Sequence, residues 1–279
     1  LNIQEPEADL NLDPSDYEPD IVDLPTAKSA SVEWTKLLDS SKDTTTNGIA
    51  IGDDGSIYII GFTEDDLDGK TNNGGADAFL IKLDSEGNKK WTNLFGTSSM
   101  DIGTGLSIGS DGAIYMSGYT DGNLDGIKNS GYVDAFISKF DSSGSKEWTR
   151  LLGSSSYDYA ENLAIGDDGS IYITGETAGS LESQHGNGDY DGFLTKFDSE
   201  GNRKWTRLFG TSSMDIGYGI SIGSDGAIYI AGYTDGNLDG IKNSGYTDAF
   251  ISKFDSSGSN EWTRLLGSES DDYAYGVII

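Results

Sequence analysis

Trp34, Trp91, Trp148, Trp205 and Trp262 follow one another at a fixed interval of 57 residues, with no insertion anywhere between them. Each opens a short run of one type: WTKLL, WTNLF, WTRLL, WTRLF and WTRLL. Other positions keep the same period, among them Tyr58, Tyr115, Tyr172 and Tyr229, Asp77, Asp134, Asp191 and Asp248, and Phe79, Phe136, Phe193 and Phe250. Residues 95–151 and 209–265 differ at only six of 57 positions, which points to recent duplication of a two-repeat unit. Such a chain repeats one supersecondary unit and must bury each unit against its neighbours.

Each unit reads as four short strands, A to D. In the first they are Gly48–Gly52, Ser56–Gly61, Asp77–Leu83 and Lys89–Phe95. β-Branched and aromatic residues fill them, and Gly, Asp, Asn and Ser bound them. Asp54-Gly55 and its three repeats suit an A–B hairpin, because glycine accepts positive φ without steric cost. Asp84 and Gly87 suit a type I turn between C and D. The apolar fraction is only 35%, but 15 Tyr, 10 Phe and 5 Trp argue for a packed core. The expectation is an all-β chain: a β-propeller of four-stranded antiparallel blades, with the tryptophans between blades. A β-solenoid is the competing architecture, though it has no need of two hairpins and a Trp in every unit.

Counting strands gives D, four complete ABCD blades and a final A, so four full blades and the terminal strands of a fifth. Residues 1–30 hold all four prolines and read as an acidic, extended or disordered linker, with the repeats over 31–279. The chain starts at Leu1 and stops within a strand, which reads as a processed product or a piece of a longer array. An uncovered A strand could also drive self-association through the missing blade.

The pattern G-I-A-I-G-x-D-G-x-I-Y-x-x-G-x-T, then D-A-F-x-x-K-x-D-x-x-G, then W-T, resembles the bacterial SBBP β-propeller repeat family. The resemblance implies an extracellular or cell-surface bacterial propeller and no particular activity. A weaker likeness is to quinoprotein-type propellers, whose tryptophan-docking motif is similar to Asp84, Gly87 and Trp91 here. That motif packs blades together.

Charge narrows the partners. The 47 acids outnumber 18 Lys and Arg, for a net charge of −29. This repels phosphate backbones and anionic lipid headgroups, so neither nucleic acid nor membrane is an expected partner. No apolar run is long enough to span a bilayer. With no Cys and one His, disulfides, thiol nucleophiles, thiolate zinc sites and His-rich metal sites are excluded.

The long B–C loops are the expected functional loops, on the rim they share with the D–A connections. Two read D-G-N-L-D-G-I-K-N, presenting Asp121, Asn123, Asp125 and Asn129, then Asp235, Asn237, Asp239 and Asn243. The first repeat offers Glu64, Asp66, Asp68 and Asn72. Oxygens at positions 1, 3, 5 and 9 with glycine at 6 are what a tight loop needs to wrap Ca²⁺. The pattern resembles the calcium loops of integrin-type propellers and dockerins, but position 12 is Gly75, Tyr132 or Tyr246 where an EF-hand has Glu. Asp77, Asp134 and Asp248 stand two residues further on. The plainer alternative is that these residues only make polar turns.

Asp101, Asp158, Asp215 and Asp272 recur in the D–A connections, as loop hydrogen-bonders or as metal or sugar ligands. Tyr119 and Tyr233 are either sugar platforms or packing. Lys82, Lys139, Lys196 and Lys253 read as salt-bridge partners, and His185 as a surface residue. No catalytic motif is present, and the repeated carboxylates lack the asymmetry that acid–base chemistry needs. The functional expectation is a non-enzymatic adhesion or interaction module, meeting protein or glycan at its rim with Ca²⁺ a possible cofactor. A purely structural spacer and a polysaccharide-active hydrolase or lyase are the alternatives.

Overall fold

The computed structural model describes Trp34, Thr35 and residues 43–279. The chain divides into two compact units, 1–35 and 36–279. In the first, Trp34 and Thr35 lie in no strand; the rest of the expected linker and leading D strand falls outside the described residues. The described residues of the second form sixteen strands in four antiparallel sheets, each ordered as its sequence runs. The first blade comprises β1 (Thr44–Ile51), β2 (Ile57–Thr63), β3 (Asp77–Leu83) and β4 (Lys89–Phe95). The second comprises β5 (Asp101–Ile108), β6 (Ile114–Thr120), β7 (Asp134–Phe140) and β8 (Lys146–Leu152). The third has β9 (Asp158–Ile165), β10 (Ile171–Thr177), β11 (Asp191–Phe197) and β12 (Arg203–Phe209). The fourth has β13 (Asp215–Ile222), β14 (Ile228–Thr234), β15 (Asp248–Phe254) and β16 (Asn260–Leu266).

The C and D strands of the first blade fall where the sequence puts them. The A strands start earlier than Gly48 and its counterparts imply, because each carries a β-bulge. The ladder skips one residue in each A strand: Asn47, Thr104, Glu161 and Tyr218. An extra residue interrupts simple alternation and re-aims one side chain. The final A strand, Gly276–Ile279, has no ladder partner and is not a strand, yet it takes an inner-strand position. Gly276 abuts Gly219, and the Ile279 N–H donates to the Ser221 hydroxyl at 3.3 Å.

Blades join through the tryptophans. Trp91, Trp148 and Trp205 each lie against a glycine in the next blade's C–D turn: Gly144, Gly201 and Gly258. Those glycines have φ of 86°, 76° and 81° and leave no room for a Cβ beneath the indole. Two residues beyond each Trp, a side chain donates to the same turn: Asn93 to the Gly144 carbonyl at 2.5 Å, Arg150 to Gly201 at 3.0 Å, Arg207 to Ser257 at 3.1 Å. The indoles are half-buried, since one face meets the neighbour and Arg150 and Arg207 lie over Trp148 and Trp205 at 5.0 and 5.1 Å. The apolar core fills the space between successive sheets, with Phe79, Phe136, Phe193 and Phe250 fully buried.

The glycine closing the B-strand motif is set by backbone approach. A Cβ on Gly175 would lie 1.9 Å from the Tyr159 carbonyl oxygen across the ladder. Gly175→Ala should therefore destabilise the fold by on the order of 3 kcal/mol, read as a lowered urea midpoint.

Candidate functional site

The B–C loops are held by their own polar side chains. Asp66, Asn123 and Asn237 accept from the backbone N–H of Asn72, Asn129 and Asn243 at 2.9 Å. Those three asparagines donate to the carbonyls of Thr63, Thr120 and Thr234 at 2.9–3.0 Å. Positions 3 and 9 of each loop thus meet. Position 5 turns instead toward the blade's own D strand. Asp68 accepts from the Thr92 hydroxyl at 2.5 Å and pairs with Lys89. Asp125 accepts from Thr149 at 2.5 Å and pairs with Lys146. Asp239 accepts from Asn260 at 2.7 Å and from Thr263. All three aspartates have φ near +54° (54°, 55° and 53°), a conformation Asp tolerates better than most residues. Position 1 points to neighbouring backbone or hydroxyl: Asp121 accepts from the Met100 N–H at 2.6 Å, Asp235 from Thr247 at 2.7 Å. The Glu64 N–H donates to the Asp43 carbonyl at 3.0 Å. Among the described residues no three Asp, Glu, His or Cys side chains gather as a metal cluster.

Asp101, Asp158 and Asp215 are the first residues of their strands, whereas Asp272 lies in no strand and accepts from the Ser268 N–H at 2.7 Å. Asp101 accepts from the Thr120 hydroxyl at 2.6 Å and from the Thr97 N–H at 2.6 Å, and Asp158 and Asp215 repeat this with Thr177 and Ser154, and with Thr234 and Thr211. Each is sealed from water, and burial raises its pKa above the ordinary value. Lys82, Lys196 and Lys253 pair with Asp54, Asp168 and Asp225 in the A–B turns at 3.6–3.7 Å, while Lys139 pairs with Glu147 at 3.1 Å. His185 is exposed and hydrogen-bonds Ser180 at 2.8 Å.

The most unusual chemistry lies on the axis. The four bulge residues, Asn47, Thr104, Glu161 and Tyr218, line one cavity of about 440 Å³ together with Tyr119 and Tyr275. Two of the bulge residues donate from one blade to the next: Asn47 to the Gly103 carbonyl at 2.8 Å, Thr104 to the Ala160 carbonyl at 2.6 Å. A carboxyl can do so only when protonated. Glu161 sits at this position in the third blade, beside Glu176 on β10, which pairs with Tyr159 in the ladder. Burial pushes Glu161 up to about 7; burial and then the charge of Glu161 raise Glu176 well above its ordinary value. Glu176 is 8% exposed, and its Oε2 has no hydrogen-bond partner.

Tyrosines surround this pair. Tyr119 meets Tyr159 edge-on at 4.8 Å; Tyr218 stacks on Tyr233 at 5.7 Å. Burial, reinforced by the two glutamates, holds the Tyr119 hydroxyl up at about 12. Tyr119 and Tyr233 lie inside β6 and β14, where their rings pack against Tyr159 and Tyr218. The glutamates themselves were missed. The signal was available: at the 57-residue spacing Glu161 aligns with Asn47, Thr104, Tyr218 and Tyr275, and Glu176 with Phe62, Tyr119 and Tyr233.

Comparison with known proteins supports the repeat reading. The SBBP family, a beta-propeller repeat, matches residues 147–182 and 204–239. The match falls on two of the repeats. It is 30% identical over 185 residues to regulatory protein FlaEY of Caulobacter vibrioides, covering 59% of this chain and 19% of that protein. An uncharacterized WD repeat-containing protein of Acanthamoeba polyphaga mimivirus is 24% identical over 161 residues, 50% of this chain and 11% of that protein. The chain spans at most about a fifth of either relative's length, by the 19% and 11% just given. Among solved structures, xylan beta-1,4-xylosidase from Bacillus halodurans aligns at 14% identity with a TM-score of 0.43, covering 84% of this chain and 45% of that one. A Bacteroides caccae protein of unknown function aligns at 11% with a TM-score of 0.36, over 86% and 89%. These structural likenesses carry no functional argument.

Two outcomes follow. Between pH 4.5 and about 7 the folded chain keeps a proton on Glu161 that the unfolded chain has released, so this group costs stability as pH rises through that window. Glu161→Gln should raise the melting temperature at pH 8 and flatten its fall between pH 5 and 8. Asp125→Asn should lower the melting temperature slightly, by about 1 kcal/mol or less of stability, and equally in Ca²⁺ and in EDTA, since its partners are Lys146 and Thr149. Calorimetry reads both.

Proposed function

We propose that this chain is a non-enzymatic interaction module, displayed outside the cell, which binds carbohydrate across the rim carrying the B–C and D–A loops. The observation that carries the reading is a run of stacked tyrosines there. Tyr132 stacks on Tyr157 with centroids 5.0 Å apart and planes 17° from parallel; Tyr157 continues to Tyr159 at 6.3 Å and 11°. Tyr132 is 65% exposed and Tyr157 38%, so flat aromatic surface is left in water. Parallel, rigid ring faces suit the C–H faces of sugar rings, and their hydroxyls supply hydrogen bonds. Beside them an open cavity of about 700 Å³ is lined by Tyr157, Asp189, Tyr190, Ser212, Ser213 and Asp235, a polar set for sugar hydroxyls. Display outside the cell is supported by the Cys-free, acidic composition and by the SBBP resemblance.

A glycan array with the full chain tests this directly. Binding to at least one class of glycan is expected, weakened about ten-fold by Tyr157→Ala or by Tyr132→Ala, the worth of one aromatic stacking contact. Silence across the array would leave a spacer or a protein-binding rim in its place.

A further inference from the structure

We infer that the axial cavity, which shares no lining residue with the rim cavity, is a second binding site and that it takes a positively charged amine on a small organic stem. Glu161 would be the anionic partner at the cavity wall and Glu176 the second carboxylate beside it.

The position is built, and the fold does not require its charge. Three sister blades place Asn47, Thr104 and Tyr218 at the bulge and complete the same four-stranded sheet. Only the third repeat puts carboxyls at both positions, with Glu176 buried and Glu161 half-buried at the cavity wall. Burying one charge without a partner is costly, and a second like charge adds to the cost. No Lys or Arg among the described residues pairs with either glutamate. Glu176 Oε2 is left without any partner. The missing charge can come from a proton or from a bound cation.

The walls favour an organic cation over a metal ion. Calcium takes six to eight oxygens. Here one carboxylate and the neutral side chains of Asn47, Thr104 and Asn162 share the wall with Tyr119, Tyr218, Tyr275, Phe62 and Ile102, and a single charged oxygen ligand is a poor set for calcium. Aromatic faces attract ammonium groups through their negative quadrupole, more strongly when water is excluded. The volume of about 440 Å³ fits a small organic ligand. The titratable groups facing the glutamates are all tyrosines: Tyr119 from β6, Tyr159 from β9, Tyr190 ahead of β11, Tyr218 from β13 and Tyr233 from β14. Burial holds each of their hydroxyls neutral, so none competes as an anion or a cation near neutral pH.

Calorimetric titration of the full chain decides it, with cadaverine and tetramethylammonium as cationic probes, 1,5-pentanediol as the uncharged analogue of cadaverine, and CaCl₂. At pH 8 one equivalent of a cationic probe should bind and pentanediol should not. Glu161→Gln and Glu176→Gln should each weaken binding about ten-fold, the worth of one charge-assisted contact. Lowering the pH to 5.5 should weaken it similarly as Glu161 takes up its proton. Tyr132→Ala, far out on the rim, should leave the cation affinity unchanged, so failure of the carbohydrate reading and failure of this one are separable. Both glutamine variants keep side-chain shape and remove a buried charge; a melting curve confirms their fold. The proposal is overturned if pentanediol binds as well as cadaverine, if the glutamine variants bind undiminished, or if neither cation binds the wild-type chain. It is replaced by a metal site if Ca²⁺ binds instead and the same variants abolish it.

Discussion

The contact between an indole and the glycine of the next blade's C–D turn sets the relation of every blade to its neighbour. A four-stranded sheet of this size has two faces to cover and cannot cover both alone. Trp91, Trp148 and Trp205 fix where the covering sheet sits, and the side chain two residues on pins the same turn by a hydrogen bond. The surroundings of the ring are two-sided: turn backbone of the next blade packs against it, and at Trp148 and Trp205 a guanidinium lies over it as well. A half-buried Trp does this work better than a fully buried one, because its edge must reach a turn that lies at the surface.

With the outer edge fixed by the indoles, the inner edge is free to vary. Each A strand carries its bulge at the same place, and the extra residue faces the axis. A bulge is therefore a socket: the backbone is repeated, the side chain is not. Asn and Thr in that socket stitch blades together through a neighbour's carbonyl, whereas Glu161 and Tyr218 give the cavity its charge and its aromatic wall. The rim is varied in the same manner. Asp125 and its counterparts tie the long loops down, and Tyr132 and Tyr157 project from the result.

The blade count, the strand order and the C and D strand limits were legible because they rest on period, turn chemistry and alternation, all local properties. The A strands were misjudged at their starts because a bulge breaks alternation while leaving no residue type that announces it. The acidic B–C loops offer two readings in the sequence, ligand set and polar turn, because Asp, Asn and Gly serve both. Only geometry shows Asp125 reaching Thr149, 24 residues away, across its own blade. Glu161 and Glu176 were overlooked for a different reason. Agreement between repeats drew attention to what recurs, and their meaning lies in failing to recur.

That failure has an energetic side. A repeat array buries the same positions in every unit, so a substitution acceptable on one blade's surface is acceptable on all, and one that is costly in the core is costly in all. Glu at an axial position is of the second kind. The tyrosine hydroxyls around it are poor substitutes for water or a cation, and Glu176 Oε2 finds no donor at all. Removing two neighbouring acids, one buried and one half-buried, from a scaffold that folds without them elsewhere should stabilise it. A site that weakens its own scaffold in the empty state holds that free energy in reserve for whatever neutralises it. A cation entering the cavity would meet Glu161 at the wall and Glu176 next to it, both already held in place by the fold, and this is the sense in which the axis is preorganised for such a ligand.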